Sequence, residues 1–193
     1  MSDLKTPKTR SVKDMKSRLR QLIREKAYKE GEFKLASGKT SNYYINGKMV
    51  TLDPEGLLLV SELLFEFCRE AGVEAIGGPT IGADPIVAGV AVVSQLHGQP
   101  ILPFLVRKEV KDHGTGLRIE GPVPKGKRVA MVDDVITTGG SLVSAIQAAR
   151  EAGCEVVQIL CIVDREEGGS DRFADEGLRF DSIFKISDIR SSG

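Results

Sequence analysis

The chain has no tryptophan, only three cysteines and two histidines, and an aromatic fraction of 5%. Each scarcity excludes something. An odd cysteine count (Cys68, Cys154, Cys161) with no CxxC pair excludes a disulfide framework and a cysteine-based zinc site. Charge of either sign is not in excess: 27 Lys+Arg face 27 Asp+Glu. That balance argues against wholesale nucleic-acid binding, which needs surplus cations to displace condensed counterions. No apolar run approaches the roughly 20 residues of a membrane span. The opening residues MSDLKTPKTRSVKD have no apolar stretch of the kind a secretory leader carries. The expectation is a cytoplasmic protein with no membrane or nucleic-acid partner. The 193 residues are 41% hydrophobic and 28% charged, the balance of one globular domain with a real core. Residues 1–193 are taken as that domain, with 1–12 as a mobile tail.

Overall neutrality hides an asymmetry. Residues 1–30 hold ten cations against four acids, which as a charge run reads first as a solvated face. Met15, Leu19, Leu22, Ile23 and Ala27 recur at helical spacing, predicting a helix from about Val12 to Tyr28. Residues 31–52 alternate short apolar groups with Gly, Ser and Asn, as a hairpin does. Asp53-Pro54 supplies a cap and a first-turn proline for a helix ending at Gly72. Further along, strands are expected at Val73–Ile76, Ile101–Val106, Arg128–Val132, Val156–Val163 and Ser182–Ile186. Helices are expected at Ala83–Leu96 and Ser141–Ala152, with a turn over Gly77–Thr80. His97 closes the first of these as a surface cation suited to a helix C-terminus. Residues 107–126 show charge, glycine and proline without periodicity; so long a segment inside a compact domain reads as a flexible functional loop. Alternating strands and helices predict an α/β fold, a mostly parallel central sheet flanked by helices.

Chemistry concentrates in Val129–Ser141. An apolar strand leads into Asp133-Asp134, then Val135-Ile136-Thr137-Thr138-Gly139-Gly140-Ser141 opens a helix. Glycines let a backbone close on a phosphate, amides donate to it, and the helix N-terminus favours the anion. Two carboxylates beside such a turn suit a phosphorylated sugar, accepting from its vicinal hydroxyls or approaching a bound cation. The segment is neither a Walker A loop nor a GxGxxG fingerprint.

This segment resembles the PRPP-binding motif of the type I phosphoribosyltransferases. Three further stretches are similar to the orotate phosphoribosyltransferase family within that class. They are Arg107-Lys108-Glu109-Val110-Lys111-Asp112-His113-Gly114, Gly31–Gly38 continuing to Tyr43-Tyr44-Ile45-Asn46, and Val163-Asp164-Arg165. The likeness runs from about Ile23 to Ile186 and implies the type I fold with a small N-terminal hood. It also implies Mg-dependent transfer of the phosphoribosyl group from PRPP to orotate, in pyrimidine biosynthesis.

On that resemblance, Lys111, His113, Asp133 and Asp134 are the catalytic candidates. PRPP falls to Arg107, Lys108, Lys111, His113, Asp133, Asp134, Val135, Ile136, Thr137, Thr138, Gly139, Gly140 and Ser141. Orotate falls to Thr137 and Arg165, with backbone near Tyr44 and Ile45; Tyr43 and Tyr44 are equally plausible as core aromatics. Mg²⁺ is implied as cofactor, held mainly by PRPP near Asp133 and Asp134, with no certain protein ligand. A homodimer is implied, its 107–126 loop reaching the neighbouring site. Two positions depart from the family pattern: Ala36 and Ile81 stand where many members carry lysine, with Lys34 two residues from the first. The rivals are a phosphoribosyltransferase for a purine or uracil, and a PRPP-sensing regulator using the basic N-terminus on nucleic acid.

Overall fold

The computed structural model describes residues 11–34, 40–108, 118–122 and 125–191. Helix α1 (Val12–Leu22) starts at Ser11, whose hydroxyl accepts the Asp14 N–H at 3.1 Å. It passes into a π-helical turn at Ile23–Ala27, so the expected single helix changes geometry in its last turn. Strands β1 (Tyr28–Lys34) and β2 (Thr40–Ile45) form an antiparallel hairpin. The hairpin is shorter than expected: its last part folds as a one-turn helix, α2 (Lys48–Thr51). Helix α3 (Pro54–Glu70) follows, capped by Asp53, which accepts the Gly56 N–H at 2.9 Å.

The remaining elements are β3 (Ala75–Pro79), α4 (Asp84–Leu96), β4 (Leu102–Val106), β5 (Ile119–Glu120), β6 (Arg128–Ile136) and α5 (Gly140–Glu151), then β7 (Glu155–Asp164), α6 (Gly169–Asp175), β8 (Arg179–Lys185) and α7 (Ile186–Arg190). The main sheet runs β5-β4-β3-β6-β7-β8, parallel except for β5 on the edge. Several expectations need correction. Gly77-Gly78-Pro79 is strand rather than turn, and β6 carries the acid pair within the strand. Residues 119–120, expected to be irregular, pair with β4, and α6 and α7 were not expected. Both helices are under two turns, too short to display an amphipathic period.

Why β6 and β7 read as unbroken apolar runs is visible in where their side chains go. Ala130, Val132, Leu160 and Ile162 join the core beneath α1, α3, α4 and α7. Their neighbours Val129, Met131, Ile159 and Cys161 join a second core beneath α5 and α6. Alternate residues point to opposite faces, and both faces are covered, so no polar alternation survives. Gly78 is required in β3: a Cβ there would lie 2.0 Å from the Val132 carbonyl oxygen. Cys68, Cys154 and Cys161 are all buried free thiols. Among the described residues no helix is long and apolar enough to cross a membrane.

The basic N-terminal stretch is tied down more than a solvated face would be. Arg18 forms a bidentate pair with Glu55 on α3, at 3.0 and 2.7 Å. Lys26 pairs with the cap Asp53, and Arg20 and Arg24 both donate to the Ser191 carbonyl. These contacts bind α1 to α3 and to the C-terminal segment.

Candidate active site

The sheet's strand sequence runs outward in one direction from β3 to β4 and in the other from β6 to β8. Open α/β sheets bind ligands at the carboxyl ends of strands where this order reverses. Here the reversal falls between β3 and β6. The turn after β3 and the acid pair at the end of β6 therefore meet, though about 50 residues apart in the chain.

Asp133 and Asp134 are both buried, 8% and 7% exposed. The Asp133 carboxylate accepts the Ser141 hydroxyl at 2.9 Å and the Asp134 N–H at 3.0 Å. Asp134 accepts the Val135 N–H at 3.0 Å and faces the Lys48 ammonium at 3.3 Å. Burial, and then the adjacent Asp134 charge, push the Asp133 carboxyl up to about 7. The turn opposite contains the Thr80–Ile81 peptide in the cis form. Its Thr80 N–H is spent on the Val106 carbonyl and its Asp84 N–H on the Ile81 carbonyl. Gly82 lies against the acids: a Cβ would stand 2.4 Å from Asp133 Oδ1 and 2.9 Å from Asp134 Oδ1. No side chain fits here, so the turn backbone packs directly against both carboxylates.

Val135 and Ile136 complete β6. Thr137 and Thr138 lead to Gly139, whose φ of 74° is left-handed, and α5 starts at Gly140. Thr138, Gly140 and Ser141 are exposed at this helix start, where the first N–H groups have no intrahelical partner. Thr137 adjoins Arg165, because the Arg165 N–H donates to the Ile136 carbonyl at 2.9 Å.

Arg165 follows β7 and is 8% exposed. Its Nε donates to the Tyr43 hydroxyl at 3.0 Å, and its Nη2 lies 3.5 Å from Ser41 Oγ and 2.9 Å from Glu167 Oε1. Tyr43 is also close to a second guanidinium, that of Arg190, 5.4 Å from the ring centre. The hairpin thus covers the carboxyl end of the sheet through Tyr43. Tyr44 differs, being exposed and tilted against Phe33 with ring centres 5.5 Å apart.

Arg107 and Lys108 are exposed at the end of β4. Arg107 pairs with Glu120 at 3.1 Å, and two backbone-directed bonds join Arg107 to Arg118. Lys111, His113 and Ala36 lie outside the described residues, as do Ser37 and Gly38. Lys34 ends β1, exposed and opposite Thr40. His97 is a surface residue as expected, with its Nε2 2.9 Å from Glu62 and its ring stacked on Phe65.

Sequence reasoning missed Lys48, Glu167 and Arg190. Lys48 and Arg190 reach their partners from elements too short for any periodic signal. Glu167 precedes Gly168-Gly169, a sign of a tight turn, but nothing local selects it over Glu166 to face inward. Among the described residues there is no group of three or more His, Cys, Asp or Glu placed to hold a metal ion.

Fold and site together define a type I phosphoribosyltransferase. Residues 85–183 match the family model described as a phosphoribosyl transferase domain. The orotate phosphoribosyltransferase of Aquifex aeolicus is 45% identical over 177 residues, 90% of this chain and 97% of that protein. The Mycobacterium tuberculosis orotate phosphoribosyltransferase solved with Fe(III) dicitrate superposes with a TM-score of 0.81 at 34% identity, covering 92% of this chain and 99% of its own. The same protein in complex with PRPP gives 0.77 at 31% identity, covering 91% and 98%. The chain belongs to the orotate phosphoribosyltransferase family, and is accordingly a pentosyl-transferring enzyme.

Proposed function

We propose that this chain transfers the 5-phosphoribosyl group of PRPP to N1 of orotate, giving orotidine 5'-monophosphate and pyrophosphate, in de novo pyrimidine biosynthesis. The observation that carries the choice of base is Arg165. It is a buried guanidinium one ladder step from the Thr137 turn, beneath the Tyr43 hydroxyl, and a planar carboxylated base matches its fork.

The turn from Thr137 to Ser141 anchors the 5'-phosphate, so binding energy far from C1 aligns the reacting carbon. Asp133 and Asp134 hold the ribose hydroxyls and offset positive charge as the bond from C1 to pyrophosphate breaks and that to N1 forms. The acids are oxygen donors of the kind a ligand-borne Mg²⁺ accepts, and both lie near the carboxyl end of β6. When bound with PRPP, Mg²⁺ supplies charge neutralisation for the pyrophosphate. Arg107, Lys108, Lys111 and His113 add cations, and a loop closing over the site keeps water from the electron-poor ribose carbon. The roots of that loop, Arg107 and Arg118, are pinned together beside the end of β4.

A homodimer with loops exchanged between sites completes the proposal. Met49 and Leu52 near α2 and Ile81 in the turn after β3 leave large apolar surface exposed, at 52%, 72% and 70%. The domain is one catalytic unit over 1–193. Three buried thiols, with burial pushing Cys68 up to about 12, suit a reducing cytoplasmic setting.

The direct test follows orotate absorbance with PRPP and Mg²⁺ present, then with each omitted. Full turnover is expected only with both, and turnover of uracil or a purine in place of orotate would overturn the choice of base. Arg165→Met should raise the orotate KM on the order of 100-fold while changing the PRPP KM little, since it removes a bidentate charged contact. Gly82→Ala should lower kcat/KM for PRPP on the order of 10- to 100-fold, because the acids must move. Steady-state kinetics beside an unchanged circular dichroism spectrum checks both.

A further inference from the structure

We propose that Glu167 is the resident counter-ion of Arg165 and sets affinity for a carboxylated base by competing with the base's carboxylate for the guanidinium. The inference rests on the reading of Arg165 as the group that grips that carboxylate.

A guanidinium offers a carboxylate two bidentate edges, one formed by Nε and Nη2 and the other by Nη1 and Nη2. Nη2 belongs to both. In this structure Nε is taken by the Tyr43 hydroxyl, and Nη2 lies 2.9 Å from a Glu167 carboxylate oxygen. No second carboxylate can dock in bidentate fashion without sharing or displacing Glu167.

The two partners are unequally held. Arg165 is buried, bonded to Tyr43 and lying 4.7 Å from that ring's centre, with Ser41 beside it. The Glu167 side chain is 35% exposed and within reach of water. Glu167 is therefore the member that can swing away. A buried guanidinium with no anion beside it carries a large desolvation cost, which Glu167 offsets while the base is absent.

The turn aims Glu167 inward. Glu166 takes a left-handed conformation (φ 56°), donates its N–H to Asp164 at 2.9 Å, and its carboxylate accepts the Ser187 N–H at 3.1 Å. One of two adjacent acids is thus committed to fastening the turn to α7. The next is left facing the guanidinium, immediately before Gly168.

Two nucleotides isolate the carboxylate: orotidine 5'-monophosphate carries it, and uridine 5'-monophosphate is the same molecule without it. Binding of each to the full chain is measured by titration calorimetry for the parent, Glu167→Gln and Arg165→Met. Glutamine keeps the size and a hydrogen-bonding oxygen but removes the charge. Glu167→Gln is expected to tighten orotidine 5'-monophosphate about three- to tenfold and to leave uridine 5'-monophosphate within about twofold. An equal effect on both nucleotides, no effect, or weaker binding of the carboxylated one would overturn the competition. Arg165→Met separates the two levels of argument. If it abolishes discrimination between the nucleotides while Glu167→Gln does nothing, only the role of Glu167 fails. If it leaves discrimination intact, the reading of Arg165 itself fails.

Discussion

Replacing Lys111 by alanine is expected to lower kcat by about two to three orders of magnitude, the usual cost of removing one group that stabilises developing charge. Pyrophosphate leaves with several negative charges, and Lys111 sits in the loop whose pinned roots end beside the turn after β3. Urea denaturation should give an unchanged midpoint, which separates a loss of chemistry from a loss of fold. A kcat within about threefold of the parent would remove the loop from the mechanism. The same variant tests whether loops act across a dimer. Mixed and exchanged with the Asp133→Asn/Asp134→Asn double variant, it should recover about one quarter of the parental sites, since half the dimers are hybrids with one intact site each. No recovery after demonstrated subunit exchange would place each loop over its own subunit's site.

The second large effect is a trade of activity for stability at Asp133. Burial and the neighbouring Asp134 raise its folded-state carboxyl to about 7, against an unfolded value near 3.8. The folded protein therefore holds a proton that the unfolded chain has already released across that interval. By linkage its contribution is most favourable below about pH 4 and is lost as pH rises through about 7. Asp133→Asn removes the titration and keeps an oxygen to accept the Ser141 hydroxyl. The variant should be more stable than the parent at pH 8 by on the order of 1–3 kcal/mol, an advantage that disappears toward pH 4. Its kcat should nevertheless fall about 100-fold or more, because an amide cannot offset a positive ribose as a carboxylate does. Urea titrations at the two pH values, with initial rates alongside, measure both halves. A variant less stable than the parent at pH 8 would show that Asp133 is held as a favourable structural anion.

The contrast between what was legible and what was not follows the range of the interactions. The α3 cap at Asp53, the core positions Leu19, Leu22, Ile23 and Ala27, and the apolar strands β6 and β7 were all readable, because each depends on residues a few positions apart. Gly77-Gly78-Pro79 resembled a turn because composition is its only local signal. What makes it strand is the approach of Phe104 and the Val132 carbonyl from neighbouring strands. The same holds for Asp133 and Asp134. A pair of acids reads as the end of a strand, yet ladder bonds to β7 extend β6 through both.

The scarcities that marked this chain did determine a good deal. Too few cysteines for a scaffold, no surplus charge and no spanning run narrowed the expectation to a globular domain, and alternating strand and helix signals made it α/β. The motifs themselves pointed to acids and a glycine turn for a phosphorylated sugar, and their resemblance to a known family added the expectation of loop cations for a leaving anion and an arginine for a base. Tertiary structure alone decided who meets whom. Tyr43 finds Arg165 across 122 residues, the Gly82 turn packs against the acids, and Glu167 rather than Glu166 turns toward the guanidinium. Periodicity and capping are encoded locally by backbone geometry, whereas a buried charge takes its partner from whatever the packed sheet and hairpin bring within about 3 Å.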